Sequence, residues 1–398
     1  MLTPAEAGAA IDAHVVPLAA ETCALAAAAG RVLREPILAE RDQPPFDRVA
    51  MDGIAIAFDA CSGGRRSFRI AGTVAAGAAP TPLEQPDACL EVMTGAMLPA
   101  GADTVIPVEA LVIADGTATL GMGGPPARWA NVHRRGSDAL AGSPALAAGT
   151  RLRGPELAIA ASAGRGRLCV SREPRIAIVS TGDELIGPDL PLQPWQIRRS
   201  NAYGIAATLA ARGYRQLTDG HVADQPAGIR AALADHLATH DVLVLSGGVS
   251  AGRFDHVPAV LESLGVQRVF HNVAQRPGKP FWFGIGPDGE PVFALPGNPV
   301  STLVCLVRYV LPALERLLGA RDLGRCYAPL ASPYQSRHGL TAFIPVDCPV
   351  PGAAAGAVAP HPTHGSGDFT SLAGTAGFVE LAPDRQHAAG EAVPFYTW

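Results

Sequence analysis

Residues 242–245 are four consecutive aliphatic residues that lead directly into a Ser-Gly-Gly turn ending at Gly248. A short apolar run of this kind predicts a strand buried on both faces, as in a parallel sheet. The glycines permit a tight turn with accessible backbone N–H groups, and a following helix would place these groups where phosphate binds. Ser250 and Asp255 come next. Because the carboxylate would repel phosphate, the segment predicts a phosphate-bearing ligand held together with a divalent cation.

The same succession of strand and helix repeats over about 145 residues. The predicted strands cover residues 175–180, 217–221, 242–245 and 291–295, and the predicted helices cover 201–212, 228–239, 258–264 and 300–318. Such alternation is typical of a doubly wound α/β sheet, whose ligands bind where the strands end.

The flanking segments follow other patterns. Alanine-rich residues 1–35 predict a helix with a stop at Gly30, and residues 154–164 predict a second helix. Short β-like pieces separated by Gly and Pro turns lie between them, and β-like pieces return after the α/β part. The predicted regions are an N-terminal helical and extended region (1–40 and 140–173), an inserted β module (41–139), a doubly wound α/β domain (174–322) and a C-terminal β domain (323–398).

Composition limits which partners and which cellular compartment the chain is expected to have. The chain has 398 residues, too many for one hydrophobic core, and its net charge of −5 argues against nucleic acid as the main partner. Its seven cysteines lack CxxC spacing, which predicts free thiols in a reducing compartment. The start of the chain lacks a basic signal segment, and no uncharged apolar run is long enough to span a bilayer. We therefore expect a cytoplasmic protein without membrane contact.

Acidic residues follow three of the predicted strands. Glu184 closes a Thr-Gly-Asp-Glu segment after the first strand, Asp224 follows the second and Asp255 follows the third. Because such strand ends share one edge of a sheet, the three carboxylates are predicted to hold Mg²⁺ against substrate oxygens. Taken singly, Glu184 or Asp224 would be more typical of a helix cap or a solvated residue.

A basic segment, Arg-Pro-Gly-Lys-Pro, occupies residues 276–280. Its prolines and glycine restrict the backbone around Arg276 and Lys279, which suits an anionic ligand. The alternative is an ordinary basic turn.

Residues 248–252 also match the GxSxG pattern of the serine hydrolases. Two extra residues separate the predicted strand from Gly248, and the chain has no His-Gly-Gly-Gly oxyanion segment. We therefore interpret Ser250 as a phosphate-loop hydroxyl and not as a nucleophile.

Three polar loops stand out in the β module. Asp52 lies in a Met-Asp-Gly turn, Thr94 begins a Thr-Gly-Ala segment, and Asp138 ends a segment that contains adjacent arginines. Because Asp-Gly is a strong hairpin signal, a plain turn is the alternative for Asp52.

Together these motifs resemble those of the molybdopterin molybdenumtransferases, the MoeA proteins, which are similar to the C-terminal domain of gephyrin. Each motif alone is weak, but the set occurs in family order over about residues 3–398. The matching motifs are Met-Asp-Gly at 51–53, Thr-Gly-Ala at 94–96, Pro-Ala-Gly-Ala-Asp at 99–103, Asn-Val at 131–132, Arg-Gly-Ser-Asp at 135–138, Ser-Thr-Gly-Asp-Glu-Leu at 180–185, Ser-Asn at 200–201, Ser-Gly-Gly-Val-Ser at 246–250, Pro-Gly-Lys-Pro at 277–280 and Leu-Pro-Gly-Asn-Pro-Val-Ser at 295–301.

The resemblance implies an activity and an assembly. Mg²⁺-dependent cleavage of the pyrophosphate in adenylylated molybdopterin would release AMP, and the dithiolene sulfurs would take molybdenum from molybdate. In an elongated homodimer, the β module of one subunit would complete the site of the other. The expected further partners are a molybdopterin adenylyltransferase and the recipient molybdoenzymes.

The resemblance also implies two sets of site residues. The catalytic set is Asp52, Glu184, Asp224, Asp255, Arg276 and Lys279, with Glu184, Asp224 and Asp255 as metal ligands. The substrate-binding set is Thr94, Asp138, Thr181, Gly182, Asp183, Asn201, Ser246, Gly247, Gly248, Ser250, Pro277, Gly278, Pro296, Gly297, Asn298, Pro299 and Ser366.

Some positions depart from the family pattern. Asn272 and Leu340 stand where the family has cations, with Arg337 as a nearby substitute for the second, and Arg276 replaces a lysine. The loss of two cations motivates an alternative, a non-catalytic protein that carries molybdopterin or its finished cofactor. A further alternative is a molybdopterin adenylyltransferase, whose fold resembles only residues 174–320. The intact carboxylate set favours the transferase.

Overall fold

The computed structural model describes residues 1–79, 81–122, 124, 126–249, 256–337, 339–347 and 356–398. The chain divides into two compact units. The larger unit comprises Met1–Glu35, Ala148–Arg153 and Arg167–Trp398, and the smaller unit comprises Pro36–Ala147 and Gly154–Gly166. The predicted site residues Ser250 and Asp255 lie outside the described residues.

The N-terminal segment is only partly helical. Helix α1 (Pro4–His14) ends before Pro17, whose ring cannot continue a helix. Strand β1 (Ala20–Ala24) and a 3₁₀ turn (Leu25–Ala27) follow. The predicted helix over residues 1–35 is therefore wrong, because alanine content obscured the break at the proline.

The smaller unit is an irregular β structure, as predicted for the inserted module. Its elements are β2 (Ile37–Leu38), β3 (Arg48–Val49), β4 (Gly53–Ile56), α2 (Phe58–Ser62), β5 (Ser67–Val74), β6 (Ala88–Val92), β7 (Thr104–Pro107), a 3₁₀ turn (Val108–Ala110), β8 (Leu111–Ala114), β9 (Thr117–Leu120), β10 (Val132–His133), β11 (Pro144–Leu146) and α3 (Gly154–Ser162). The main sheet has the order β7-β4-β6-β5-β9-β8, with β5 and β6 parallel and the other neighbours antiparallel. Helix α3 contacts β11.

In the larger unit, β12 (Arg167–Ser171) pairs antiparallel with β1 and precedes the α/β region. The elements of that region are β13 (Ile176–Thr181), β14 (Leu185–Ile186), β15 (Ile197–Arg198), α4 (Asn201–Ala211), β16 (Leu217–Val222), α5 (Pro226–Thr239), β17 (Val242–Ser246), α6 (Val257–Ser263), β18 (Gln267–His271), β19 (Gln275–Arg276), β20 (Trp282–Ile285), β21 (Pro291–Leu295), α7 (Pro299–Cys305), a π-helical turn (Leu306–Val310) and α8 (Leu311–Leu317).

The α/β sheet has the strand order β16-β13-β17-β21-β20-β18. Strands β16, β13, β17 and β21 run parallel, β20 pairs antiparallel with β21, and β18 pairs antiparallel with β20. Alternate residues of β17 belong to different cores: Val242 and Val244 pack with α4 and α7, whereas Leu243 and Leu245 pack with α5 and α6. Burial on both faces explains the continuous apolar run, and it confirms the predicted doubly wound architecture.

The C-terminal region is a second sheet system, as predicted. Its elements are β22 (Tyr327–Pro329), β23 (Tyr334–Gln335), β24 (Thr341–Asp347), β25 (Ala359–Pro360), a 3₁₀ turn (Thr370–Leu372), β26 (Gly377–Leu381), β27 (Gln386–His387) and β28 (Ala392–Thr397). The order is β19-β24-β26-β28-β22, so β19 of the α/β region joins this sheet, parallel to β24. None of the helices in the described ranges combines the length and the apolar character that spanning a bilayer requires.

Candidate active site

Loops at the carboxyl ends of β13, β16, β17 and β21 surround a cavity of about 540 Å³ in the larger unit. Parallel strands place their carboxyl ends on one edge, so residues far apart in the sequence meet there. The predicted site residues that line this cavity are Thr181, Glu184, Asp224, Gly247, Gly248, Arg276, Pro277, Gly278, Lys279, Pro296, Gly297, Asn298 and Ser366.

Gly247 and Gly248 form the turn after β17, and both have left-handed backbone angles, with φ of +100° and +67°. A Cβ at Gly247 would lie 2.7 Å from the Thr181 carbonyl oxygen, and one at Gly248 would lie 2.9 Å from the Thr181 hydroxyl. Only glycine fits so closely against the end of β13. The buried Thr181 hydroxyl has no hydrogen-bond partner within the described residues, which is uncommon for a buried polar group and marks it as a candidate ligand contact.

Glu184 and Asp224, hereafter the acidic pair, both line the cavity and are close enough for the charge of Glu184 to act on Asp224. The Asp183 carboxylate accepts a hydrogen bond from the Asp224 N–H at 3.0 Å, which ties the two loops together. Burial raises the pKa of Asp224, and the nearby charges of Glu184 and Asp183 raise it further. The site therefore concentrates negative charge that a cation would stabilise.

The cationic loop, residues 276–279, forms another part of the wall. Arg276 and Lys279 are exposed, and neither forms an ion pair within the described part of the chain. Two cations without carboxylate partners suit an anionic ligand.

Other predicted residues support the cavity from its edges. The Asn201 side-chain amide donates to the Ser246 hydroxyl and to the Gly297 carbonyl, each at 2.8 Å, and so joins the end of β17 to the loop after β21. Asn298 donates to the Ser366 hydroxyl at 2.8 Å. Pro299 begins α7. The carbonyl of Gly182, which follows Thr181, accepts a hydrogen bond of 2.9 Å from the His221 Nε2.

Sequence reasoning did not assign several residues of the wall. They are Val249, Gln275, Pro280 and Ser301. Gln275 belongs to no sequence motif, and its burial could not be predicted from the sequence. Leu340, noted above as replacing a family cation, also lines the cavity.

The predicted residues of the β module lie in the smaller unit. The exposed Asp52 carboxylate accepts hydrogen bonds from the Thr94 N–H at 2.6 Å and from the Thr94 hydroxyl at 2.7 Å. These bonds lower the pKa of Asp52. A hydrogen bond of 2.8 Å joins the Asp138 carboxylate to His133. The Met-Asp-Gly turn is thus anchored by the Thr-Gly-Ala loop.

Two of the predicted metal ligands, Glu184 and Asp224, line the cavity, and the third, Asp255, lies outside the described residues. Within the described residues, no group of three or more His, Cys, Asp or Glu side chains is arranged to hold a metal ion.

Three family descriptions match successive parts of the chain. Residues 2–164 match the MoeA N-terminal region (domain I and II), residues 177–316 match a probable molybdopterin binding domain, and residues 327–398 match the MoeA C-terminal region (domain IV). The matches follow the same order as the motifs.

Two relatives carry the same description. A molybdopterin molybdenumtransferase from Synechocystis sp. is 41% identical, with 100% of each chain covered. One from Synechococcus elongatus is 37% identical over 82% of this chain and 83% of its own. The crystal structure of a molybdopterin biosynthesis MoeA protein from Pyrococcus horikoshii superposes with a TM-score of 0.83 at 26% identity, covering 100% of both chains. With this architecture, this cavity and these relatives, the chain belongs to the molybdopterin molybdenumtransferase (MoeA) family of enzymes.

Proposed function

We propose that this chain transfers molybdenum from molybdate to the dithiolene sulfurs of adenylylated molybdopterin and releases AMP. The observation that carries the proposal is the meeting of the acidic pair and the cationic loop in one cavity beside a glycine turn. The family relatives support a transferase of this kind.

The glycine turn would hold the phosphate of the pterin. Both glycines line the cavity, so a phosphate could bind beside the turn without a side chain of the turn in its way. The Gly247 N–H already donates to the Leu295 carbonyl at 3.3 Å, so other backbone N–H groups of the turn would contact the phosphate. The Thr181 hydroxyl supplies a further donor that has no other described partner. Ser250 would extend this cradle, although it lies outside the described residues.

The acidic pair fits a magnesium ion, because Mg²⁺ is usually bound by one or two carboxylates together with substrate phosphates. Burial raises the pKa of Asp224, and the nearby charges of Glu184 and Asp183 raise it further, so negative charge is concentrated beside this carboxylate. Glu184 and Asp224 would hold the ion, with Asp255 as the third proposed ligand. When bound, Mg²⁺ supplies charge neutralisation at the phosphoanhydride. The carboxylates themselves would orient water or the ion at the bond that breaks.

Arg276 and Lys279 would neutralise molybdate or the departing phosphate. The family cation missing at Leu340 leaves an apolar side chain in the wall, so these two residues carry a larger share of oxyanion binding. Asn272 lies outside the set of lining residues. Two remaining cations still match the charge of a molybdate dianion.

We further propose a homodimer in which Asp52, Thr94 and Asp138 complete the partner's site. The support is chemical: Asp52 and Asp138 are exposed carboxylates, and Asp52 has an ordered donor in Thr94. The cysteines of the described residues are free thiols, which fits the proposed cytoplasmic location. A molybdopterin adenylyltransferase and recipient molybdoenzymes are the proposed partners.

The test is a reconstitution assay with purified protein, adenylylated molybdopterin, molybdate and Mg²⁺. We expect molybdate-dependent AMP release and activation of a cofactor-free molybdoenzyme. Tight binding of the pterin without AMP release would instead support the non-catalytic carrier. Formation of adenylylated molybdopterin from ATP and molybdopterin would support the adenylyltransferase, against which the matched N-terminal and C-terminal regions count.

A further inference from the structure

The cationic loop has little secondary structure of its own, and yet it is closely supported from below. Gln275, which directly precedes it, is fully buried, with 0% of its surface exposed. Its side-chain amide donates to the carbonyl oxygens of Pro277 at 3.3 Å and Gly278 at 3.2 Å. The buried Gln275 side chain therefore holds the backbone of the loop at the two residues that lie between Arg276 and Lys279.

Gly278 brings the loop against this amide. Its φ of +94° is in the left-handed region, and a Cβ there would lie 2.6 Å from the Gln275 amide nitrogen and 2.7 Å from the Cys305 sulfur. The Gln275 amide also lies 3.4 Å from the Cys305 sulfur. Burial raises the pKa of the Cys305 thiol, so this group stays neutral beneath the loop.

The other end of the Gln275 side chain is fixed by Tyr309, whose hydroxyl donates to the Gln275 side-chain carbonyl. Tyr309 stacks on Phe281, with 4.9 Å between ring centroids, and lies in the π-helical turn Leu306–Val310. Pro312 accounts for this turn, because it lacks the N–H that an α-helix needs and its ring would crowd the carbonyl of Arg308, four residues earlier.

The same turn connects the loop to the C-terminal sheet. Arg308, beside Tyr309, donates to the Glu380 carboxylate on β26 at 2.9 Å, and the Tyr396 hydroxyl on β28 donates to that carboxylate at 2.6 Å. Strand β19, which contains Gln275, pairs with the start of β24, directly after Leu340. Backbone pairing and a buried side-chain network therefore converge on the base of the cationic loop.

We propose that Gln275 is a positioning residue of this enzyme: it holds Arg276 and Lys279 at the spacing that binds the oxyanion substrate, and Tyr309 fixes Gln275 in turn. The inference rests on the proposed function. If Gln275 acted in folding alone, its replacement would lower stability and would not weaken the binding of molybdate more than that of adenylylated molybdopterin. A positioning role affects molybdate binding selectively, because the cations remain present but lose their fixed geometry.

The experiment compares Gln275→Leu and Tyr309→Phe with the wild type in the AMP-release assay. We expect Gln275→Leu to raise the KM for molybdate about tenfold and to leave kcat at saturating molybdate within about twofold. Tyr309→Phe removes only a hydroxyl and should raise that KM about threefold. The affinity for adenylylated molybdopterin should remain that of the wild type in both variants.

The control is Ser171→Ala, which removes another buried side-chain hydrogen bond, from the Ser171 hydroxyl to the Leu318 carbonyl. This serine does not line the cavity, so the change should lower Tm without changing the KM for molybdate. If Gln275→Leu does not fold, Tyr309→Phe carries the test, because its ring can keep the stacking on Phe281.

A second readout uses pH. Gln275→Glu can donate to a loop carbonyl only when the glutamic acid is protonated, so its KM for molybdate should approach the wild-type value at low pH and rise with pH relative to the wild type. A KM for molybdate that stays at the wild-type value in folded Gln275→Leu or Tyr309→Phe would overturn the proposal. A wild type without molybdate-dependent AMP release would instead refute the proposed function.

Discussion

The acidic pair and the cationic loop lie on the same cavity but are held in different ways. Glu184 and Asp224 project from the ends of β13 and β16, and their mutual repulsion raises the pKa of Asp224 beyond the effect of burial. The cationic loop is instead supported by a buried amide and by a strand that joins the C-terminal sheet. The difference indicates that the acidic pair concentrates negative charge that a cation would neutralise. The position of the cationic loop is instead set by packing.

The largest effect is expected at the acidic pair. Glu184→Gln or Asp224→Asn should lower AMP release about 10²- to 10³-fold, because the proposed Mg²⁺ loses a charged ligand. The measurement is the initial rate at saturating substrates over a magnesium titration. The matched control is Glu262→Gln, which removes an acid from an exposed ion pair with Arg268 at 3.3 Å. If Glu184→Gln keeps the wild-type rate of AMP release, the charge of Glu184 is not needed to hold the proposed Mg²⁺, and this part of the account is wrong.

A smaller effect is expected from packing under the loop. Gly278→Ala forces a Cβ against Gln275 and Cys305, so the KM for molybdate should rise about tenfold or more. Gly289→Ala is the control, because Gly289 has the same φ of +94° and nothing within 4 Å of its added Cβ. Equal effects of the two substitutions would mean that backbone strain, and not the loop's packing, is responsible.

Adding charge to the cavity should improve oxyanion binding. Leu340→Arg would introduce a further cation into the wall, and we expect the KM for molybdate to fall about three- to tenfold. Leu340→Met keeps the size and apolar character and should behave as the wild type. An unchanged or higher KM in the arginine variant would show that charge does not limit binding at this side.

The smallest effect is a pH-dependent change in stability. Because the folded-state pKa of Asp224 lies above its ordinary value of 3.8, its stabilising contribution is present below that value and is lost as the pH rises through the folded pKa. Without magnesium, Asp224→Asn should therefore raise Tm at neutral pH by roughly 1–3 °C, and the gain should vanish near pH 3. Calorimetry in a chelator measures both. A lower Tm for this variant at neutral pH would contradict the assigned repulsion.

The α/β architecture was predictable from the sequence because its central strands are buried on both faces. Residues 242–245 form one apolar run for this reason, and helices alternate with the parallel strands along the chain. Strands β18 and β20 were not predicted, since they pair antiparallel without a helix between them. The prediction of one helix over residues 1–35 failed for a local reason: alanines on both sides of Pro17 obscured the break at that proline.

The candidate site was predictable where a residue type carries its own chemistry. Glu184, Asp224, Arg276 and Lys279 have such side chains. Parallel strand order brings the loops of Glu184 and Asp224 together, whereas Arg276 and Lys279 lie at the cavity through β19, which pairs with β24 of the C-terminal sheet. Gln275 was missed because a glutamine is unremarkable in sequence. Its importance depends on burial and on a partner, Tyr309, that lies 34 residues away in a π-helical turn.

The central claim is that this cavity couples cleavage of adenylylated molybdopterin to molybdenum transfer. The most direct measurement counts AMP and finished molybdenum cofactor in the same reaction, with wild-type protein, at increasing molybdate. We predict equal amounts of the two products, both dependent on molybdate and magnesium. Molybdenum cofactor formed without AMP, or AMP released in equal amount when molybdate is absent, would contradict the account.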